Sequence, residues 1–148
     1  MAGGRHTIAK LTNVPIPEAV LAGIAVGCAL EQVRPWRLKR RQAAGWSAVI
    51  AGSVIVTAAV SAAGRTTLAQ PDTLVTTGVY GVSRNPMYVG TTLLHLGIGL
   101  TTRSGWILAT LPLTSAAIHH GVLAEERRLS EQFPEEFRQY CGAVRRYL

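Results

Sequence analysis

Apolar residues in this chain gather into runs instead of alternating with charges at the spacing of a soluble helix or strand. The first run covers residues 19–30 and extends to Val33. It is short for a bilayer span, which needs about 20 residues. Glu18 and Trp36 at its two ends can lie at the interfaces and bring it to that length. Pro35 then breaks the helix, and Arg34, Arg37, Lys39, Arg40 and Arg41 make a dense basic loop. Residues 43–64 carry no charge at all and form the strongest predicted transmembrane helix, with Trp46 near one end as interfacial aromatics are placed. A loop rich in Thr and Gly follows over 65–82, with Pro71 and Asp72. Residues 85–102 and 104–124 are a third and a fourth uncharged run. Little more than Arg103 separates them, which predicts a tight antiparallel hairpin, with Pro112 as a kink site in the fourth helix.

After Ala124 the character changes. Residues 125–148 are highly charged, and Leu129, Phe133, Phe137, Tyr140, Val144 and Tyr147 recur every three or four positions, an amphipathic helix period. Pro134 followed by Glu135 and Glu136 reads as the first turn of a new helix. The expectation is two short helices lying against the membrane or folded back on the hairpin. The predicted fold is therefore all-α: an integral membrane bundle of about four transmembrane helices with a C-terminal amphipathic helical tail. Residues 1–148 read as one domain, with 1–17 a polar, partly disordered lead-in.

Composition agrees with the pattern: 48% of the 148 residues are apolar and only 16% are charged, against roughly 25% in soluble domains. The formal net charge of +7 would suit nucleic acid. The basic residues instead flank the apolar runs and leave little soluble surface for a groove, so the bilayer is the expected partner. Cys28 and Cys141 have no CxxC spacing, which gives neither a metal site nor a redox pair. His119 and His120 are adjacent, so on a helix they point about 100° apart and make a poor metal pair; with His95 they read as interfacial or packed. With four spans, nine Lys and Arg share the face of the termini and six lie opposite. That difference favours cytoplasmic termini in an inner or plasma membrane, while the dense basic loop 34–41 points the other way.

Two segments flank the hairpin at the same end. One runs from Leu74 through Val75, Thr77, Gly78, Tyr80, Arg84, Asn85, Pro86 and Tyr88 to Gly90. The other begins Glu125-Glu126-Arg127-Arg128-Leu129 and continues to Phe133, Tyr140, Val144 and Arg145. The hairpin brings its own ends together, which predicts a cluster of Arg, Tyr, Asn and Glu at a membrane boundary. Polar groups there are costly unless paired or functional. Taken singly, Arg84 and Arg127 would pass as interfacial anchors, Glu125 and Glu126 as a solvated helix turn, and Tyr80 and Tyr88 as belt aromatics. Gly90, Gly97 and Gly99 read as sites of close helix packing. Gly97-Ile98-Gly99 is not a dinucleotide loop, because Thr102 follows and no βαβ unit exists.

Together the two segments follow the pattern G-x-Y-x-x-x-R-H-P-x-Y-x-G, a helical hairpin, and then E-E-x-x-L-x-x-x-F-G-x-x-Y-x-x-Y-x-x-x-V-x-R. The chain thereby resembles the isoprenylcysteine carboxyl methyltransferase family, which is related to the membrane phospholipid methyltransferases. The likeness covers about residues 64–147. Two departures matter: Asn85, where the family has His, and Pro134, where it has Gly. Asn keeps hydrogen-bonding capacity but does not titrate near neutrality.

The resemblance implies an enzyme dependent on S-adenosylmethionine that binds the cofactor in its C-terminal half, about 64–148, and takes a lipophilic acceptor from the bilayer. It implies that Leu74, Val75, Thr77, Gly78, Tyr80, Arg84, Asn85, Pro86, Tyr88 and Gly90 contact the cofactor, and that Glu125 and Glu126 close the site. Chemically, Arg84 can hold the cofactor's carboxylate and a Glu its ribose or amino group. One Glu is expected to face the site and the other water or an Arg, with that Glu as base toward an amine or thiol. Arg127 or Arg128 would position a carboxylate acceptor. Two alternatives stand beside this reading: a non-catalytic membrane scaffold or ligand-binding protein, and a nicotinamide-dependent membrane reductase of similar shape.

Overall fold

The computed structural model describes residues 17–39, 41–64 and 73–148. The lead-in through residue 16, Arg40, and the stretch 65–72 with Pro71 and Asp72 lie outside the described residues. The described chain is all-α, with helices α1 (Glu18–Val33), α2 (Gln42–Ala63), α3 (Pro86–Thr101), α4 (Gly105–Gln132) and α5 (Pro134–Ala143), and a 3-10 turn at Gly78–Gly81.

The first four helices form an up-and-down bundle in which α2 packs most extensively on α3, and α4 packs on both α1 and α3. Glycines set how closely they approach. A Cβ at Gly52 would lie 2.6 Å from the Gly90 carbonyl oxygen, and one at Gly97 2.9 Å from that of Gly45. This pairing of 52 with 90 and 45 with 97 makes α2 and α3 antiparallel, with backbones in near contact. On the other side Gly27 of α1 meets the Ile107 backbone, and Gly99 of α3 meets Leu108. The predicted close-packing role of Gly90, Gly97 and Gly99 is what the bundle uses.

The hairpin turn between α3 and α4 is as tight as expected. Arg103 takes the left-handed conformation (φ 60°), and the Ser104 hydroxyl accepts from the Ile107 N–H to cap α4. The basic loop after α1 is tied to this turn. Ser104 Oγ donates to Glu31 at 2.6 Å, Trp106 Nε1 donates to the Arg34 carbonyl at 2.6 Å, and Trp36 and Trp106 meet edge to face. At the opposite end α2 stops at Gly64 (φ 60°), whose N–H reaches back to Val60 and Ser61.

Among the described residues two helices, α2 and α4, are long and apolar enough to cross a membrane. Only 17% and 22% of their apolar windows are buried inside the protein, unlike the core helices of a soluble fold. Trp46, Ile50 and Val54 of α2 and Leu113 of α4 instead face outward. By contrast, α1 and α3 have 16 residues each, about 24 Å at 1.5 Å per residue. Of the four expected spans, α2 and α4 reach bilayer length by residue count alone.

The tail departs from expectation in one respect. The first charged turn is no separate helix: α4 continues through Pro112 and past Glu125 to Gln132. Glu, Arg and Leu are good helix formers, so the change in charge at residue 125 marks the end of the apolar stretch and not of the helix. α4 is about 42 Å long, and only about 20 residues of it are needed to cross a hydrocarbon core. The last two turns project beyond residue 124. Pro134 opens α5 at its first position with Glu135 and Glu136 in the first turn, as predicted.

Candidate active site

The projecting end of α4, the segment before α3, and α5 with the C-terminal strap that follows it meet at one end of the bundle. The 3-10 turn is seated on α2 through Tyr80, which packs with Ala59 and Met87. Pro86 starts α3, so residues 83–85 cross beneath the end of α4. There they capture the strap. The Arg84 N–H donates to the Arg145 carbonyl at 2.9 Å, and Arg84 Nη1 donates to the carbonyls of Cys141 (3.2 Å) and Val144 (3.0 Å). Asn85 Nδ2 donates to the Arg146 carbonyl at 3.1 Å, and Ser83 Oγ to the same oxygen.

Glu126 is the hub of this end. Its Oε1 accepts from Arg84 Nε (3.2 Å), Arg84 Nη2 (3.1 Å) and Asn85 Nδ2 (3.4 Å), and its Oε2 from Arg146 Nε (3.0 Å). Burial alone would raise this carboxyl; hydrogen bonds and charge from Arg146 and Arg84 outweigh it and hold the group below its ordinary value. Glu125, one residue earlier, has the opposite environment. Its Oε2 accepts from the Tyr88 hydroxyl at 3.0 Å. Burial pushes its carboxyl up, Tyr88 and Arg128 pull it back, and Glu126 adds to the rise. The two carboxylates thus divide as their 100° separation on a helix suggests. Burial also raises Tyr140, to about 12, and its hydroxyl donates to the Tyr80 carbonyl at 2.7 Å.

These elements border a cleft that is partly open to solvent. Of the residues expected there, Leu74, Val75, Tyr80, Arg84, Asn85, Pro86, Tyr88, Glu125 and Glu126 line it. Four do not. Gly90 faces Val56 and Gly52 of α2, and Arg127, Thr77 and Gly78 are exposed; Gly78 instead supplies the positive φ that starts the 3-10 turn. Arg84 borders the cleft, but its guanidinium is engaged by Glu126 and two carbonyls. Met87, Leu129, Phe137 and Tyr140 also line it. The last three lie on the amphipathic period of the tail, which could have pointed to them; Met87 gave no signal of its own. Arg146 joins the network through Glu126, while Arg145 is exposed.

A second, largely apolar groove runs from Tyr88 along the seam of α3 and α4, between Val89, Thr92 and Leu93 on one side and Ser115, Ile118 and His119 on the other. Tyr88 is a wall of both cavities. Tyr147 of the strap borders the groove, and its hydroxyl lies 2.8 Å from His119 Nδ1. Deeper in the bundle, His95 is fully buried. Its Nε2 lies 3.0 Å from the Ile107 carbonyl and its Nδ1 3.2 Å from Thr114 Oγ1, so of the two expected roles, interfacial or packed, it takes the packed one. Among the described residues no three His, Cys, Asp or Glu side chains are grouped to hold a metal.

Residues 40–136 match the phospholipid methyltransferase family. The chain is also similar to the cobalt-zinc-cadmium resistance protein CzcN of Cupriavidus metallidurans, 41% identical over 71 residues, which is 47% of this chain and 32% of that protein. It is similar to the nickel-cobalt-cadmium resistance protein NccN of Alcaligenes xylosoxydans xylosoxydans, 40% identical over 63 residues, 42% of this chain and 30% of that protein. The aligned part thus spans about a third of the length of these relatives. No solved structure matches.

Proposed function

The chain belongs to the phospholipid methyltransferase family, and we propose that it transfers a methyl group from S-adenosylmethionine to a lipophilic acceptor at the membrane boundary. The observation that carries this is the cleft itself. It joins the 74–88 segment to Glu125 and Glu126 at the end of the apolar part of α4. We further propose that all four bundle helices cross the membrane. α3 lies antiparallel to α2 from Gly52–Gly90 to Gly45–Gly97, and so follows the spanning helix for most of its length. With four spans, the sequence count of nine Lys and Arg on the face of the termini against six opposite supports a cytoplasmic orientation for the cleft.

The lining suits this cofactor. Glu125 offers a carboxylate to an ammonium or to ribose hydroxyls, and the rings of Tyr80, Tyr88, Phe137 and Tyr140 offer faces to a cation. Leu74, Val75, Met87 and Leu129 supply apolar walls. When bound, S-adenosylmethionine supplies an electrophilic methyl on a cationic sulfur. The protein's part is to align a nucleophile with that methyl and keep water out. Glu126, Arg84 and Asn85 hold the strap that closes one side, and Glu125 is placed to accept a proton where the acceptor has one to lose. CzcN and NccN are named for metal resistance; carried to this chain, that role would rest on the methylated product.

Calorimetric titration of the detergent-solubilised protein with S-adenosylmethionine and S-adenosylhomocysteine tests the proposal. Binding of both is expected, weakened by Tyr88→Ala and unchanged by Leu113→Ala, which lies on the outer face. Response to a nicotinamide dinucleotide alone, or to none of these ligands, would overturn it.

A further inference from the structure

The end of the bundle away from the cleft carries a cationic surface that methyl transfer does not use. The α1–α2 loop has two flanks to join, since α1 packs on α4 and α2 on α3. It joins them by lying across the α3–α4 turn. The Leu38 N–H donates to the Arg103 carbonyl (2.9 Å), the Gly105 N–H to the Trp36 carbonyl (2.8 Å), and Arg37 Nη1 to the Thr102 carbonyl (3.2 Å). Arg103 Nε donates back to the Leu38 carbonyl at 3.0 Å. The loop backbone is thus clamped to the turn, and its cationic side chains stand on a fixed base.

Acidic partners are scarce there. Between Glu18 and Asp72 the sequence has one acid, Glu31, and between Asp72 and Glu125 it has none. The Glu31 carboxylate is already engaged: it accepts from the Ser104 hydroxyl and the Trp36 N–H and pairs with Arg37 at 3.2 Å. Arg34, Lys39 and Arg41 are exposed and, among the described residues, have no carboxylate partner. All three tryptophans of the chain, Trp36, Trp46 and Trp106, stand at this same end. Trp36 and Trp46 are exposed, and indole rings so placed sit at headgroup level. Leu30 and Val33, in the last turn of α1 below the loop, face outward. Fixed cations over outward apolar residues are the complement of an anionic amphiphile.

We propose that this platform binds the phosphodiester headgroup of an anionic phospholipid, with Arg34, Lys39 and Arg41 around the phosphate and the outward faces of Leu30 and Val33 along the acyl chain. A soluble anion would use the cations and leave the apolar residues beneath them without a role. The inference is independent of the methyltransferase reading. It also gives the density of charge in 34–41 a cause other than orientation in the membrane.

The test uses the full chain in nanodiscs and reads its own tryptophans, all of which report on this end and none on the cleft. The quencher is phosphatidylglycerol or phosphatidylcholine brominated on the acyl chains. Quenching should favour phosphatidylglycerol, and the preference should shrink as salt rises. Lys39→Gln should weaken phosphatidylglycerol association about fivefold, the share of one cation near an anionic surface. Arg34→Gln, Lys39→Gln and Arg41→Gln together should bring the two lipids to parity. These variants leave Glu31, Arg37 and Arg103, which hold the loop, in place; should the triple variant fail to fold by its melting curve, Lys39→Gln decides. Arg138→Gln with Arg145→Gln, exposed at the cleft end, should change nothing. Glycerol 3-phosphate at the lipid's concentration should not relieve the quenching. Equal quenching by the two lipids, a preference untouched by the substitutions, or relief by the soluble phosphate ester would overturn the inference.

Discussion

Glu125 and Glu126 are neighbours in sequence, yet their surroundings give them opposite pH behaviour. Glu126 has a folded value below its ordinary 4.5. Its contribution to stability is present above that ordinary value and is lost as pH falls through the folded value. Acidification protonates it, releases Arg84 and Arg146, and frees the strap. Glu125 is raised above 4.5, so its ionisation favours the unfolded chain, and its contribution falls as pH rises through the window above 4.5. At neutral pH, Glu126→Gln should lower stability by about 2–4 kcal/mol, because it leaves Arg84, only 10% exposed, without its anion. Glu125→Gln should be neutral or slightly stabilising. Melting curves in a neutral detergent between pH 4 and pH 8 check both. A similar loss in the two variants would show that the carboxylates do not divide the structural and cleft-facing roles. The resemblance brought Arg84 and Glu126 to the same site, but their pairing was not legible, because the partners are far apart in sequence and meet only when α4 overshoots the membrane boundary.

Packing of whole helices depends on a few positions where no side chain fits. Gly90→Ala would place a Cβ 2.7 Å from Val56 Cγ2 and 3.0 Å from the Gly52 carbonyl oxygen. Backbone cannot move aside cheaply, so the substitution should cost about 1–3 kcal/mol through separation of α2 from α3. Gly121 lies on α4 with nothing within 4 Å of an added Cβ, so Gly121→Ala should stabilise by about 0.5–1 kcal/mol through helix propensity. Opposite shifts in melting temperature for these two Gly→Ala changes are the expected result. At this scale the sequence was most informative where a run and its stop coincide. The uncharged stretch 43–64 became Gln42–Ala63 because Gly64 supplies the left-handed stop. It was least informative at Gln132, where α4 ends eight residues past the change in charge, since charged residues of high helix propensity leave no mark of the membrane edge in the backbone. The helix period of Leu129, Phe137 and Tyr140 was visible, but not that their apolar face turns toward a cleft instead of the lipid.

For the whole molecule the question is which solvent the outer surface meets. Trp46, Ile50 and Val54 stand 60%, 62% and 61% exposed along α2, and Leu113 stands 75% exposed on α4. In water, several large apolar side chains along one helix face would form a patch of the kind that drives association. In a bilayer they are the ordinary lipid-facing surface, since hydrocarbon is as apolar as they are. A charge at the middle of that face separates the two cases. Val54 lies near the centre of Gln42–Ala63, so Val54→Lys should cost about 2.5–3.5 kcal/mol of insertion free energy at a helix centre. Trp46→Lys, near the end of the helix, should cost much less, because a long side chain there can reach the interface. Expressed in cells and washed with alkaline carbonate, wild type and Trp46→Lys should stay in the membrane pellet, while Val54→Lys is depleted from it. Were the bundle soluble, Val54→Lys would replace an exposed apolar residue with a solvated one, and its yield in the soluble fraction would rise with no loss of stability. That outcome would refute lipid contact for α2 and remove the membrane from the account of where the cleft obtains its acceptor.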